Sequence, residues 1–223
     1  QSWKDIFPKK GEIYFAGALE NNEDTGTLQY LASTAMEAGF STRVLDMQAL
    51  DLQNGRFFDP AGELVNRCFK LYPWEWMVDE SPDGCLAEME WLEPIWKLVM
   101  SNKAILATLY ELFPDSPYVL PCYLSRPRSG LFCKKPVFSR EGHNVSVVDI
   151  RNWEEHVRIA ETEGDYNTGA YVYQEYVEPT VYSGRYPVIG SWIIGGEAAG
   201  IGIRENRMEV TDNLSEFVPH IIG

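Results

Sequence analysis

Residues 131–148 read LFCKKPVFSREGHNVSVV, two apolar β-prone runs on either side of a polar hexad, 139–144, that contains Gly142. This is the pattern of a hairpin with a polar tip. Side chains alternate along a strand, so Leu131, Cys133, Lys135 and Val137 share one face, and Phe132, Lys134 and Phe138 the other. One of the two lysines must then run along an apolar face. A buried ammonium is costly unless it meets an anion, and a phosphate brought by a ligand is such an anion. The alternative is a lysine that reaches water or pairs with a glutamate. A glycine-containing tip beside it can lay backbone N–H groups on phosphate oxygens.

Other clusters add to this one. Residues 170–177, AYVYQEYV, form a β-prone run whose Gln174 and Glu175 offer an amide and a carboxylate at a strand end, suited to a purine edge and ribose hydroxyls, although most such runs are plain amphipathic strands. Gly195-Gly196 marks a second hairpin. On its returning strand Ala198, Gly200, Gly202 and Arg204 are expected on one face, which leaves room for a ligand beside a guanidinium able to neutralise a transferring phosphoryl or a developing oxyanion. The bland reading is a bent hairpin with a surface arginine. Thr211, Asp212 and Asn213 either cap a turn or face a metal-nucleotide. With Lys103 ahead of a helix, these residues make a nucleotide-phosphate constellation. Neither GxxxxGK[ST] nor a strand-GxGxxG-helix is present, and His143, His156 and His220 accompany no nucleophile elbow.

The elements that must position these groups read as follows. Residues 12–19 and 41–47 are apolar and extended, and 24–38 carry Leu28, Leu31, Ala32, Ala35 and Met36 on one helical face, a β-α-β pattern. Asp24 or Thr25 is expected to cap the helix and Gly39 to follow its end. Asn54-Gly55 marks a turn. Phe69, Tyr72, Trp74 and Trp76 around Pro73 read as a core wedge rather than a ligand platform. Helices are expected over 85–100 and 102–113, the second ended by Pro114, Pro117 and Pro121, and a polar helical insertion near 152–162. The predicted class is α/β (α+β). A Rossmann-like β-α-β segment with helices, 1–114, precedes a β-rich part with antiparallel sheets, 115–223.

Composition limits the partners. The chain has 223 residues, 19 Lys+Arg against 33 Asp+Glu, a formal net charge of −14 and 45% hydrophobic residues. It can bury a core, and its acidity disfavours general binding to nucleic acid or an anionic membrane. No apolar run approaches the roughly 18 residues of a membrane helix, and the first ten residues lack the apolar core of a signal peptide. A cytoplasmic location is expected. Cys68, Cys85, Cys122 and Cys133 are scattered without CxxC or CxxH spacing, which fits reduced thiols. The initial Gln suggests a piece of a longer chain.

The blocks FKLYPWEWM, SNKAIL, KKPVFSREGHNVS, YVYQEYV, GRYPVIGSWIIGGEAAGIGIRE and TDNLSEFVPHI resemble the C-terminal half of glutathionylspermidine synthase-like acid–amine ligases, and the likeness spans about residues 12–222. The resemblance implies an ATP-grasp-type C-terminal domain and ATP- and Mg2+-dependent amide formation. A carboxylate is phosphorylated to an acyl phosphate, an amine attacks, and ADP and phosphate leave. It implies that Lys103 and Lys135 touch ATP phosphates and that Glu141 and Gly142 belong to the flap over them. Gln174, Glu175, Tyr176 and Val177 would line the adenine and ribose, Glu209, Val210 and Thr211 would close the pocket, and Arg204 would stabilise the acyl-phosphate transition state. Val188 stands where bifunctional members carry a nucleotide-facing Gln. The family's Mg2+ ligands, a Tyr-Glu-Tyr-Asn-Ala-Asp type block, are expected upstream of this chain, with no metal site inside it, so the chain alone is expected to be inactive. No Cys-His amidase domain is present. A peptide-like carboxylate and an amine or polyamine are the implied small-molecule partners. The alternative reading is a nucleotide-binding module without ligase activity, and a third is an acidic interaction protein that binds no ATP.

Overall fold

A computed structural model describes residues 2–159, 162–164, 166, 169–210 and 215–221. The chain packs as two compact units, Gln1–Leu98 and Val99–Gly223.

The first unit runs α1 (Ser2–Ile6), β1 (Glu12–Gly17), α2 (Asn22–Glu37), β2 (Ser41–Asp46), β3 (Asp51–Gln53), β4 (Arg56–Phe58), β5 (Leu64–Val65), β6 (Arg67–Leu71), α3 (Trp74–Glu80), α4 (Pro82–Cys85) and β7 (Glu90–Leu92). Its main sheet has the order β2-β1-β6-β7, with every pairing parallel, and β3, β4 and β5 form a small antiparallel sheet. β1 reads EIYFAG because a central parallel strand is covered on both faces. Ile13 and Phe15 pack with Leu28, Ala32 and Ala35 of α2, while Tyr14 and Ala16 face Val65, Cys68, Trp74 and Met77.

α2 starts a turn earlier than expected. Asn21, in an extended conformation, caps it by accepting from the Glu23 N–H at 2.9 Å, while Thr25 instead donates its hydroxyl to the Leu19 carbonyl. Its end is as predicted. Gly39 adopts φ +93°, its N–H bonds to Met36 O, and Phe40 N–H reaches back to Ala35 O, a Schellman closure. Met36 lies on the open rim at 56% exposure.

The aromatic stretch does act as a wedge. Trp74 is buried, donates its indole N–H to Glu93 O and meets Trp91 edge-on, and Phe69 packs against Phe15. Trp76 stays at the rim against Tyr72. Between them Lys70 is only 5% exposed. Its Nζ donates to Tyr72 O at 2.7 Å and stands 3.8 Å from the Trp74 ring centroid. Burial pulls its pKa from 10.5 down to about 8.

The helix expected over 85–100 is not formed. Residues 90–92 form β7, paired in parallel with β6, and only short turns at Ile95–Lys97 and Leu98–Ser101 are helical. Helix propensity yields here to backbone pairing: Glu90, Trp91 and Leu92 join the edge of the sheet beside β6, and Glu88 N–H bonds to Gly55 O.

The second unit holds α5 (Leu98–Ser101) at the division, α6 (Ile105–Leu112), β8 (Cys122–Tyr123), β9 (Gly130–Pro136), β10 (Ser146–Arg151), β11 (Glu154–Ile159), β12 (Tyr171–Glu175), β13 (Tyr186–Ile194), β14 (Glu197–Asn206) and β15 (Glu216–Val218). Five strands form an antiparallel sheet in the order β11-β10-β9-β12-β8, and β13-β14-β15 form another. Phe132, Val148, Ile150 and Tyr173 cluster together, while Cys122 and Val172 pack with Ala107 of α6.

Within the helix expected near 152–162, Glu154–Ile159 is a strand, and residues 160 and 161 lie outside the described residues. Asn152 and Trp153 take φ of +52° and +70°, a tight turn that folds β11 back antiparallel on β10. The Gly195-Gly196 turn forms as expected, with both φ positive. A bulge then pairs Trp192 with Gly200 but Ile193 with Ala198, so Ala198 lies on the opposite face from Gly200, Gly202 and Arg204. Ile189, Trp192, Ile193 and Ile194 of β13 are each more than half exposed. No helix among the described residues is long and apolar enough to cross a membrane.

Candidate functional site

β9, β10 and the loop joining them form one wall of a pocket of about 300 Å³, at the lower end of the roughly 300–1,000 Å³ usual for small-molecule sites. Lys103, Cys133, Lys135, Ser139, Arg140, Glu141, Gly142, Val145, Val147, Tyr176, Glu209 and Val210 line it, all within the second unit. The β9 alternation expected from the sequence separates the two adjacent lysines. Lys135 faces the pocket, and its Nζ donates to Gln174 Oε1 of β12 at 2.8 Å. Lys134 points to the other face. There its Nζ pairs with Glu155 at 2.6 Å and lies 4.7 Å from the Tyr171 ring centroid. Burial opposes the Lys134 charge, but the hydrogen bond and charge of Glu155 outweigh it, and its pKa is held above the ordinary lysine value.

Lys103 comes from the turn before α6, where its own N–H bonds to Val137 O and Asn102 Oδ1 accepts from Ala104 N–H. Its Nζ donates to both the carbonyl and the hydroxyl of Ser139, the hydroxyl at 2.9 Å. The loop that follows places Glu141, Gly142 and Asn144 at positive φ (+56°, +74° and +53°). A turn with left-handed residues of this kind can aim successive backbone N–H groups into a concavity that receives anion oxygens. On the far side Tyr176 donates its phenol to the Glu209 carboxylate, and its own N–H bonds to Leu131 O. The site thus combines cations, a curved loop, Tyr176 and Val210 with apolar Val145 and Val147 in the wall, where charges act more strongly than in water.

Of the residues picked out from the sequence, Lys103, Lys135, Glu141, Gly142, Tyr176, Glu209 and Val210 line this pocket, and Gln174 stands against Lys135. Glu175 and Val177 are exposed on the same chain segment without lining it. Arg204 lies on β14 opposite Val188, outside the lining, with its guanidinium 5.9 Å from the Phe217 ring centroid. Thr211, Asp212 and Asn213 fall outside the described residues. Sequence reasoning did not single out Ser139, Val145 or Val147 as site residues. The contact between Lys103 and Ser139 joins segments with no periodicity in common, so only the fold shows it.

The residues present suit a polyanionic nucleotide. Among the described residues there is no group of three or more His, Cys, Asp or Glu that could hold a metal ion, and Mg2+ in nucleotide sites is usually held by the phosphates with one or two carboxylates. The four cysteines are free thiols. Burial pushes Cys68 up to about 12 and raises Cys85, Cys122 and Cys133. Iodoacetamide at neutral pH is therefore expected to leave Cys68 unlabelled in the folded chain and to label it in urea, read by peptide mass spectrometry.

Residues 1–223 match the family described as glutathionylspermidine synthase preATP-grasp. A Haemophilus influenzae protein named "Putative acid–amine ligase" is 36% identical over 207 residues, covering 89% of this chain and 53% of that protein. Trypanothione synthetase of Crithidia fasciculata is 36% identical over 236 residues, 93% of this chain and 35% of that protein. The bifunctional glutathionylspermidine synthetase/amidase of Escherichia coli is 26% identical over 232 residues, 90% of this chain and 36% of that protein. The chain spans about half the length, or less, of these curated relatives. Among solved structures, D-cycloserine synthetase shares the fold with a TM-score of 0.54 at 14% identity, over 95% of this chain and 76% of that one.

Proposed function

The chain belongs to the glutathionylspermidine synthase family, and from that premise we propose that it is the C-terminal, nucleotide-binding portion of an ATP-dependent carboxylate–amine ligase without amidase activity. The observation that carries this reading is the convergence of Lys103, Lys135 and the Glu141–Gly142 loop on one pocket. In this reading residues 115–223 hold the nucleotide, with Lys103 reaching in from the start of α6. ATP, when bound, supplies the phosphoryl group that turns the acid into an acyl phosphate, from which an amine displaces phosphate.

The chain's own groups then have distinct tasks. Lys103 and Lys135 hold phosphate oxygens as point charges, and the amides of Glu141 and Gly142 close over them. Gln174 and Tyr176, with Glu209 and Val210, take the base and ribose. The family resemblance assigns Arg204, which lies outside the pocket lining, to charge that develops at the transferring phosphoryl. The surplus of 14 negative charges favours a cationic amine over an anionic one.

The test uses the full-length protein with Mg-ATP and a panel of peptide-like acids and polyamines, following ADP release. Amine-stimulated release with at least one pair, and an amide product by mass spectrometry, is expected. ATP binding without amine-stimulated turnover for any pair would support the nucleotide-binding module instead.

A further inference from the structure

The loop over the proposed phosphate site does not hold its shape by itself. Thr162, Gly164 and Tyr166, after β11, pack against it. Thr162 N–H bonds to Val145 O at 3.1 Å and Asn144 N–H to Thr162 O at 3.1 Å, a reciprocal backbone pair. The Thr162 hydroxyl accepts from Val145 N–H at 2.9 Å and donates to the Gly142 carbonyl. Asn144 Oδ1 accepts from Tyr166 N–H at 2.9 Å, and the His143 and Tyr166 rings stand 5.9 Å apart. Gly164 is packed so closely that a Cβ added there would lie 2.5 Å from His143 Cβ and 2.9 Å from Asn144 Oδ1. Neither Thr162 nor Gly164 lines the pocket, whereas Gly142 and Val145 do.

We propose that Thr162, Gly164 and Tyr166 form a positioning strap that fixes the 141–144 turn, with its left-handed Glu141, Gly142 and Asn144, in its phosphate-receiving shape, with Thr162 as its hydrogen-bond hub and Gly164 as its point of closest approach. The proposal rests on the nucleotide reading for its consequence and on the contacts themselves for its mechanics. Residues with positive φ at Glu141 and Asn144 are unfavourable for side-chain-bearing types and persist where the surroundings impose them. Thr162 satisfies a donor and an acceptor on either side of that segment, and Gly164 leaves no room for the loop to relax outward. The strap therefore acts on phosphates at one remove, by aiming the amides of Glu141 and Gly142.

The test compares wild type, Thr162→Val, Thr162→Ser and Gly164→Ala in the full-length protein. Calorimetry is expected to show ATP affinity at least tenfold weaker in Thr162→Val and Gly164→Ala, near wild type in Thr162→Ser, and adenosine affinity unchanged throughout. Equal loss for adenosine and ATP would overturn the strap as a phosphate-positioning element. Hydrogen exchange on the unliganded proteins reads the mechanics without nucleotide and without relying on Gly164→Ala to fold. The Asn144 and Val145 amides should exchange at least tenfold faster in Thr162→Val, and unchanged protection would overturn the proposal. Absence of ATP binding by wild type, with the exchange result as expected, would sink the nucleotide reading and leave the strap in place.

Discussion

Replacing Lys135 by alanine is expected to weaken ATP binding by roughly 10- to 100-fold while leaving the melting temperature nearly unchanged. The size follows from losing one charge-assisted hydrogen bond to a phosphate, about 1.5–3 kcal/mol. The selectivity follows from where the side chain sits. Lys135 is half-buried at the pocket wall, and its protein partner is the neutral amide of Gln174, which remains beside the pocket when the lysine is gone. Its neighbour behaves in the opposite way. Lys134→Ala leaves the half-buried Glu155 without its cation on the far face of the sheet, so it should cost stability and spare ATP affinity. Calorimetry and thermal melts on the two variants form a crossed pair. Equal ATP affinity in wild type and Lys135→Ala would remove the pocket assignment.

Lys70 supplies the second large effect, on stability rather than binding. Its folded-state pKa is about 8 against an ordinary 10.5, because burial disfavours the ammonium. Below pH 8 both folded and unfolded chains carry the proton, and the folded state bears the full cost of the buried charge. Between about pH 8 and 10.5 the unfolded chain binds more protons than the folded one, so the contribution of this group to stability improves as pH rises. The whole excursion is on the order of 3 kcal/mol, at about 1.4 kcal/mol per pKa unit. Lys70→Met, close in length and able to lie against Trp74, should remove that rise. Urea unfolding of both proteins from pH 7 to 10.5 gives the difference curve, which cancels other groups titrating in the window. A difference that stays flat with pH would show that Lys70 is not held with a depressed pKa.

How much of this was legible in the sequence depended on whether the signal was local. β1, α2 and β2 were readable because their apolar spacing matches the strand and helix periods and Gly39 marks the helix end in a way any chain would have to respect. Residues 85–100 and 152–162 misled because their charged, helix-favouring residues occupy short sheet-edge strands. Glu90 pairs with Arg67 and Glu155 with Lys134, partners distant in sequence. The site divided on the same line. Alternation along 131–137 separated Lys134 from Lys135, and the polar tip announced the loop. Ser139 under Lys103, Thr162 behind Gly142 and the burial of Lys70 each depend on a crossing that no window of sequence contains.

The hairpin of β13 and β14 has a consequence for handling the chain in solution. β13 is the outer strand of its sheet, and from Val188 to Ile194 it carries no charge and several exposed apolar side chains. Among the described residues nothing pairs with its outer edge. An uncharged, apolar edge of this length is a template onto which another extended strand can add, and no lysine along it discourages that. The protein's net charge keeps molecules apart only over a Debye length, about 8 Å at physiological salt. Ionic strength and protein concentration therefore become coupled variables for the purified chain. Dilute, low-salt solutions preserve single molecules, and concentrated, high-salt ones bring these edges within reach of each other.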